Sequence, residues 1–116
     1  MCSLVKEFYM NIQLKKGVLE LVVMNEISKG DQYGYELSQT ISEHLSIADG
    51  TLYPMLRRLV NEGVLDTYMG KTSAGPARKY YTITELGQKH LQHLIEEWKE
   101  LKSSVNQLLE GEVHNE

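Results

Sequence analysis

The chain is 116 residues long, 41% hydrophobic and 24% charged, with a formal net charge of -4 and a single cysteine. That describes one soluble domain with a modest core, without an apolar run near the roughly 20 residues that span a bilayer and without the basic start, apolar centre and cleavage site of a secretion signal. The lone Cys2 excludes an intrachain disulfide and fits a reducing cytoplasm, where the protein is expected to reside.

A first helix is expected over residues 4–29. Leu14, Val18, Leu21, Val22 and Asn25 run along one face, and Leu19, Val23, Met24 and Ile27 extend the apolar surface almost all round. A helix apolar on most sides is buried on most sides, which in so small a domain suggests a second chain as well as the protein's own core. Gly30 is suited to end this helix and Asp31 to cap the next. The second helix, over 33–45, carries Leu37, Ile41 and Leu45 at i, i+4 and i+8.

A third helix follows over 47–62, opened by Ser46 and Asp49 as a variant capping box and closed by Gly63. Pro54 lies inside it and is expected to bend it locally. Leu52, Met55, Leu56, Leu59 and Val60 form its apolar stripe, whereas Thr51, Tyr53, Arg57, Arg58 and Asn61 share the opposite face. Guanidinium forks, a hydroxyl, a phenol and an amide suit base edges and phosphates in a major groove. On these residues alone, an ordinary amphipathic surface helix fits equally well.

Beyond Gly63 the composition turns β-branched and aromatic. Strands are expected over 64–69 and 78–83, joined by the turn cluster Gly70 to Ala77, with Lys71, Arg78 and Lys79 near the tip. Residues 50–82 hold five cations against Glu62 and Asp66, a net +3 between two acidic flanks. With charge segregated in this way the local basic patch matters more than the overall pI. A two-stranded hairpin is marginal alone and must lie on the helices. After a helix-turn-helix whose second helix bears the arginines, it reads as a wing that lays cations on DNA in preference to a structural hairpin with a solvated tip.

Thr84 is suited to cap a last helix from Glu85 to Glu110. Leu91, Leu94, Trp98, Leu101, Val105 and Leu108 are spaced 3, 4, 3, 4, 3, an a/d seam just under three heptads long. Such a seam could pack on the protein's own first helix but, on a projecting C-terminal helix, points to a homodimer. Trp98 occupies a seam position where leucine would pack more simply. Across a two-fold axis, two such indoles either make a slot for a planar aromatic ligand or simply fill the interface.

Catalytic and metal chemistry find little support. There is no phosphate loop, nucleophile elbow or convincing Cys–His arrangement. His90 and His93 lack a third ligand nearby in sequence, so no metal is expected, nor any cofactor.

The segments Tyr33-Gly34-Tyr35-Glu36-Leu37, Gly50-Thr51-Leu52-Tyr53-Pro54-Met55-Leu56-Arg57-Arg58-Leu59, Glu62-Gly63 and Arg78-Lys79-Tyr80-Tyr81-Thr82-Ile83-Thr84-Glu85-Leu86-Gly87, in this order and spacing, resemble the PadR family of bacterial transcriptional regulators. The resemblance covers about residues 14–110 and is similar to the short subclass with a single C-terminal helix. It implies a mainly α fold with a small β-hairpin: a winged helix-turn-helix over 1–84, a C-terminal dimerisation helix over 85–110 and a disordered tail over 111–116. It further implies a homodimer that binds an inverted-repeat operator, mostly as a repressor. Thr51, Tyr53, Arg57 and Arg58 would then lie in or along the major groove, Tyr35 on a phosphate, and Lys71, Arg78 and Lys79 on the backbone or minor groove. Multidrug-sensing members carry a tryptophan in the same part of the last helix, so Trp98 is expected to contact a planar aromatic effector. The wing departs from relatives in having Gly75-Pro76-Ala77 where a glycine-rich turn is common. The competing reading is a winged-helix scaffold for protein–protein contacts, which the acidic flanks favour.

Overall fold

The computed structural model describes residues 18–46, 49–71 and 75–111. Helix α1 occupies 18–29 of these; the expected helical stretch over 4–17 lies outside the described residues. Strand β1 (Gln32–Tyr33), helix α2 (Gly34–Ser42), helix α3 (Asp49–Asn61), strands β2 (Leu65–Gly70) and β3 (Arg78–Ile83), and helix α4 (Glu85–Glu110) follow in order.

The core is built from three helical stripes. Leu19, Val23 and Ile27 of α1 recur every fourth residue, as do Leu37 and Ile41 of α2, and Leu52, Leu56 and Leu59 of α3 repeat at i, i+4 and i+7; all are buried. Met24, Val64, Leu65, Tyr81 and Leu91 close the cluster, while Met55 and Val60 pack partly buried against it. The two faces of α1 thus divide: Leu19, Val23, Met24 and Ile27 enter the chain's own core, while Val18, Leu21, Val22 and Asn25 line an open groove.

The expected two-stranded hairpin has a third member. β1 adds to the outside of β3, giving the antiparallel order β1-β3-β2. Gln32 and Tyr33 pair with Tyr81 and Tyr80, and Leu65 through Gly70 pair with Ile83 through Arg78. Tyr33 was expected to start the second helix, but its backbone is extended, with φ -92° and ψ 159°. An aromatic residue gains from lying beside Tyr80, whose ring meets it edge-on at 5.7 Å. Nor does Asp31 cap α2: its carboxylate accepts the Tyr68 hydroxyl hydrogen bond at 2.6 Å, and α2 has no side-chain cap. At its other end α2 stops at Ser42, short of Leu45.

α3 runs through Pro54 and ends on Gly63, whose φ of +83° a side chain would strain. The Gly63 amide donates to the Val60 carbonyl at 3.0 Å and that of Val64 to Leu59 at 3.2 Å, the paired bonds of a Schellman cap. The Asp49 side chain lies outside the described residues, and the expected capping box with it.

Thr84 caps α4 as expected. Its hydroxyl accepts from the Gly87 amide at 2.9 Å and donates to the Gly63 carbonyl at 2.7 Å, so one side chain ties the end of α3 to the start of α4. α4 ends at Gly111, φ +59°; residues 112–116 lie outside the described set. Leu91 is buried and Leu94 and Ile95 pack on the core. Beyond Ile95 every residue of α4 is exposed.

Candidate nucleic-acid interface

The first turns of α2, the outer face of α3 and the tip-proximal half of β3 meet in an open cleft of about 800 Å³, and Tyr35, Tyr53, Arg57, Arg78 and Lys79 all line it. Three cations and no carboxylate are among its lining residues. Residues drawn from three elements thereby form one basic, phenol-rich surface. Gly34 makes it possible: a Cβ there would stand 2.7 Å from Cε1 of the Tyr53 ring, which rests against the start of α2.

An aromatic row holds the wing in place. Tyr33 stacks with Tyr35 at 6.4 Å and meets Tyr80 edge-on, and Tyr80 stacks on Tyr68 at 5.6 Å. The Arg78 guanidinium lies 4.6 Å above the Tyr33 ring, a cation–π contact that orients it at the cleft mouth. Sequence reasoning missed Tyr33 and Tyr80 as wing supports; the dense tyrosines of 33–35 and 80–81 were the available signal. Burial pushes the Tyr81 phenol above its ordinary value and nearby Tyr53 adds to this, with Arg57 opposing, so Tyr81 remains a neutral phenol at physiological pH.

The remaining expected residues fall elsewhere. Thr51 is half-buried on α3 and Lys71 is exposed just past β2, and neither lines the cleft. Arg57 forms no ion pair among the described residues, whereas its neighbour Arg58 forms two. Nη2 of Arg58 lies 2.8 Å from Oε1 of Glu20 on α1, and Nη1 lies 3.0 Å from Oε2 of Glu62. The other Glu20 oxygen lies 2.5 Å from Nε2 of His90 on α4.

Burial opposes the ionisation of Glu20, but the hydrogen bonds from His90 and Arg58 outweigh it and hold the carboxyl below its ordinary value. Glu20 and Glu62 in turn raise Arg58. A carboxyl depressed in the folded state stabilises the fold above the unfolded-chain value, near ~4.3, and loses that contribution as pH falls through the folded value. The urea midpoint is therefore expected to drop on acidification below about pH 4.3, and less steeply in Glu20→Gln. Equal acid sensitivity of the two proteins would remove Glu20 from the account.

Trp98 lies apart from the basic cleft, on a cavity of about 550 Å³ between α1, the end of α2 and α4. Val18, Leu21, Val22, Leu45 and Ile95 line it beside the indole, which is 39% exposed. The sequence suggested a slot between two indoles; a single chain already offers an apolar wall. Of the seam, Leu91 lies in the chain's own core and Leu94 is half-buried, because the first turns of α4 cover the helices. Trp98, Leu101, Val105 and Leu108 are exposed. His90 and His93 engage separate glutamates, Glu20 and Glu97, and no group of three candidate metal ligands occurs among the described residues. No helix among those residues is long and apolar enough to cross a membrane.

The profile of the transcriptional regulator PadR-like family matches residues 23–93. The crystal structure of a PadR-like transcriptional regulator from Bacillus cereus strain ATCC 14579 is similar with a TM-score of 0.79 and 38% identity, covering 85% of this chain and 98% of that one. A Streptococcus mutans UA159 crystal structure is 41% identical with a TM-score of 0.76, covering 81% and 88%. Transcriptional regulator Rv3488 of Mycobacterium tuberculosis is 27% identical over 103 residues, 88% of this chain and 92% of its own length.

Proposed function

The chain belongs to the PadR-like family of transcriptional regulators, a family of regulators and not of enzymes, and from that premise we propose that it binds an inverted-repeat DNA operator as a cytoplasmic homodimer and represses transcription. The observation that carries this reading is the cleft in which Tyr35, Tyr53, Arg57, Arg78 and Lys79 converge without a carboxylate among its lining residues. Arg57 and Tyr53, with Thr51, read the major groove; Tyr35 takes a phosphate; Arg78, Lys79 and Lys71 act from the wing on the backbone or minor groove.

Dimerisation uses the part of α4 that leaves the body. Trp98, Leu101, Val105 and Leu108 present an apolar stripe to solvent, and the half-buried Val18, Leu21 and Val22 line the groove beside Trp98. Two copies related by a two-fold axis cover both. The recognition helices then meet successive major grooves, roughly 34 Å apart. A planar aromatic ligand at Trp98 releases DNA by favouring a dimer whose recognition helices no longer fit both half-sites.

The deciding experiment is fluorescence anisotropy with DNA from upstream of the protein's own gene and with random-sequence selections, at several salt concentrations and with unlabelled competitor. Tight binding that resists competitor and falls steeply with salt is expected, because phosphate neutralisation releases counterions. Binding that competitor abolishes on every sequence would leave a scaffold. The single tryptophan reports the effector: titration with varied planar aromatics is expected to quench or shift its emission, and a flat response across the set would remove the ligand.

A further inference from the structure

Arg58 sits on the DNA-facing helix, yet its fork is turned to acids: Glu62 on the same helix and Glu20 on α1, 38 positions away. Glu20 is engaged at both oxygens, by Arg58 and by His90, which lies 70 positions away on α4. One carboxylate therefore joins three helices: the proposed reading helix α3, the helix α1 whose open face lines the apolar groove, and the dimerising helix α4. The Glu20 side chain is 23% exposed and that of His90 29%, so their contact is partly withdrawn from water and less screened than a surface pair, whereas Arg58 is 47% exposed and holds Glu20 from the solvent side. A guanidinium bound through two different nitrogens to two carboxylates has its plane set by both.

We propose that Glu20 is a positioning residue that fixes the orientation of α3 relative to α1 and α4, acting through Arg58 and His90, and so sets the half-site spacing the dimer accepts. The proposal rests on the DNA-binding dimer argued above. Arg58 then contributes to operator choice by holding the helix that carries Arg57, not by touching DNA. Glutamine in place of Glu20 keeps the shape but removes the charge and one acceptor oxygen, so Arg58 loses its charge-assisted partner and His90 faces an N–H instead of a carboxylate.

The test compares the wild-type protein with Glu20→Gln, Arg58→Met and the double variant, on an operator of native spacing and on one lengthened by a base pair. Each single variant is expected to lose affinity for the native operator roughly fivefold to tenfold, the low end of inter-site coupling. The preference for native over lengthened operator is expected to flatten, and the double variant to lose no more than either single one. The salt slope in Arg58→Met is expected to stay that of wild type. A slope lower by about one, or full loss in Arg58→Met with wild-type binding in Glu20→Gln, would mean that Arg58 contacts phosphate itself and would overturn the clamp. Amide hydrogen exchange without DNA separates this failure from failure of the functional reading. Faster exchange over residues 55–61 in Glu20→Gln, with α2 unchanged, supports the tie even if wild type binds no operator; unchanged exchange there overturns it.

Discussion

Gly87→Ala is expected to destabilise the fold by about 3 kcal/mol, the upper range for forcing a group into a packed site, a large share of the roughly 5–15 kcal/mol that holds a domain of this kind together. A Cβ at Gly87 would lie 2.0 Å from the Val64 carbonyl oxygen and 2.8 Å from Cγ1 of Ile83. The first obstacle is backbone and cannot rotate away. That same carbonyl accepts the Thr84 amide hydrogen bond at 3.3 Å, so pushing it aside loosens the junction of α3, β2 and α4 together. Urea unfolding should show the midpoint of Gly87→Ala lowered by more than about 1 M, given slopes of roughly 1–3 kcal/mol per molar for small proteins. Gly30→Ala is the control: nothing lies within 4 Å of a Cβ there and φ is not positive, so its midpoint should hold or rise slightly. Matching midpoints for the two variants would refute the close approach of α4 to Val64.

Arg57→Ala is expected to lose operator affinity by roughly 10-fold to 100-fold, the range for removing an arginine that contacts a base edge. Its stability should stay within about 0.5 kcal/mol, because the side chain is exposed and supports no core contact. Arg57→Lys should recover only part of the loss, since an ammonium keeps the charge but not the planar fork. Relaxed preference at one operator position would assign Arg57 to a base; uniform weakening with a shallower salt dependence would assign it to phosphate. Undiminished affinity in Arg57→Ala would dissociate the basic cleft from operator binding.

Adjacent in sequence, Arg57 and Arg58 show where the limits of local reading lie. Helical spacing places both on the polar side of α3, and it cannot say what stands opposite. Glu20 and His90 stand opposite Arg58, and the aromatic cleft opens beside Arg57. The wing was legible as two strands but not as three, because β1 is two residues long and exists only through its pairing with Tyr80 and Tyr81. Leu91 belongs to the same heptad pattern as Leu108, yet one lies in the core and the other is 83% exposed. A seam read from spacing carries no mark of where a helix leaves the body of its own chain.

Much of what depends on neighbours within about one helical turn was determined by the sequence alone, with the start of α2 as the exception: Asp31 turns to Tyr68 and Tyr33 joins the sheet. The Thr84 and Gly63 caps, the apolar stripe of Leu52, Leu56 and Leu59, the β-strands of the wing and the extent of α4 all follow from local hydrogen bonding and periodic burial. Tertiary structure alone decided which polar groups meet across long loops. It joined Tyr35, Arg57 and Arg78 in one cleft, turned Arg58 to Glu20, and split α1 between core and groove. The physical reason is that backbone and capping bonds are satisfied within a few residues. Contacts between side chains far apart in sequence exist only once burial of the common core has set the helices at particular distances and angles.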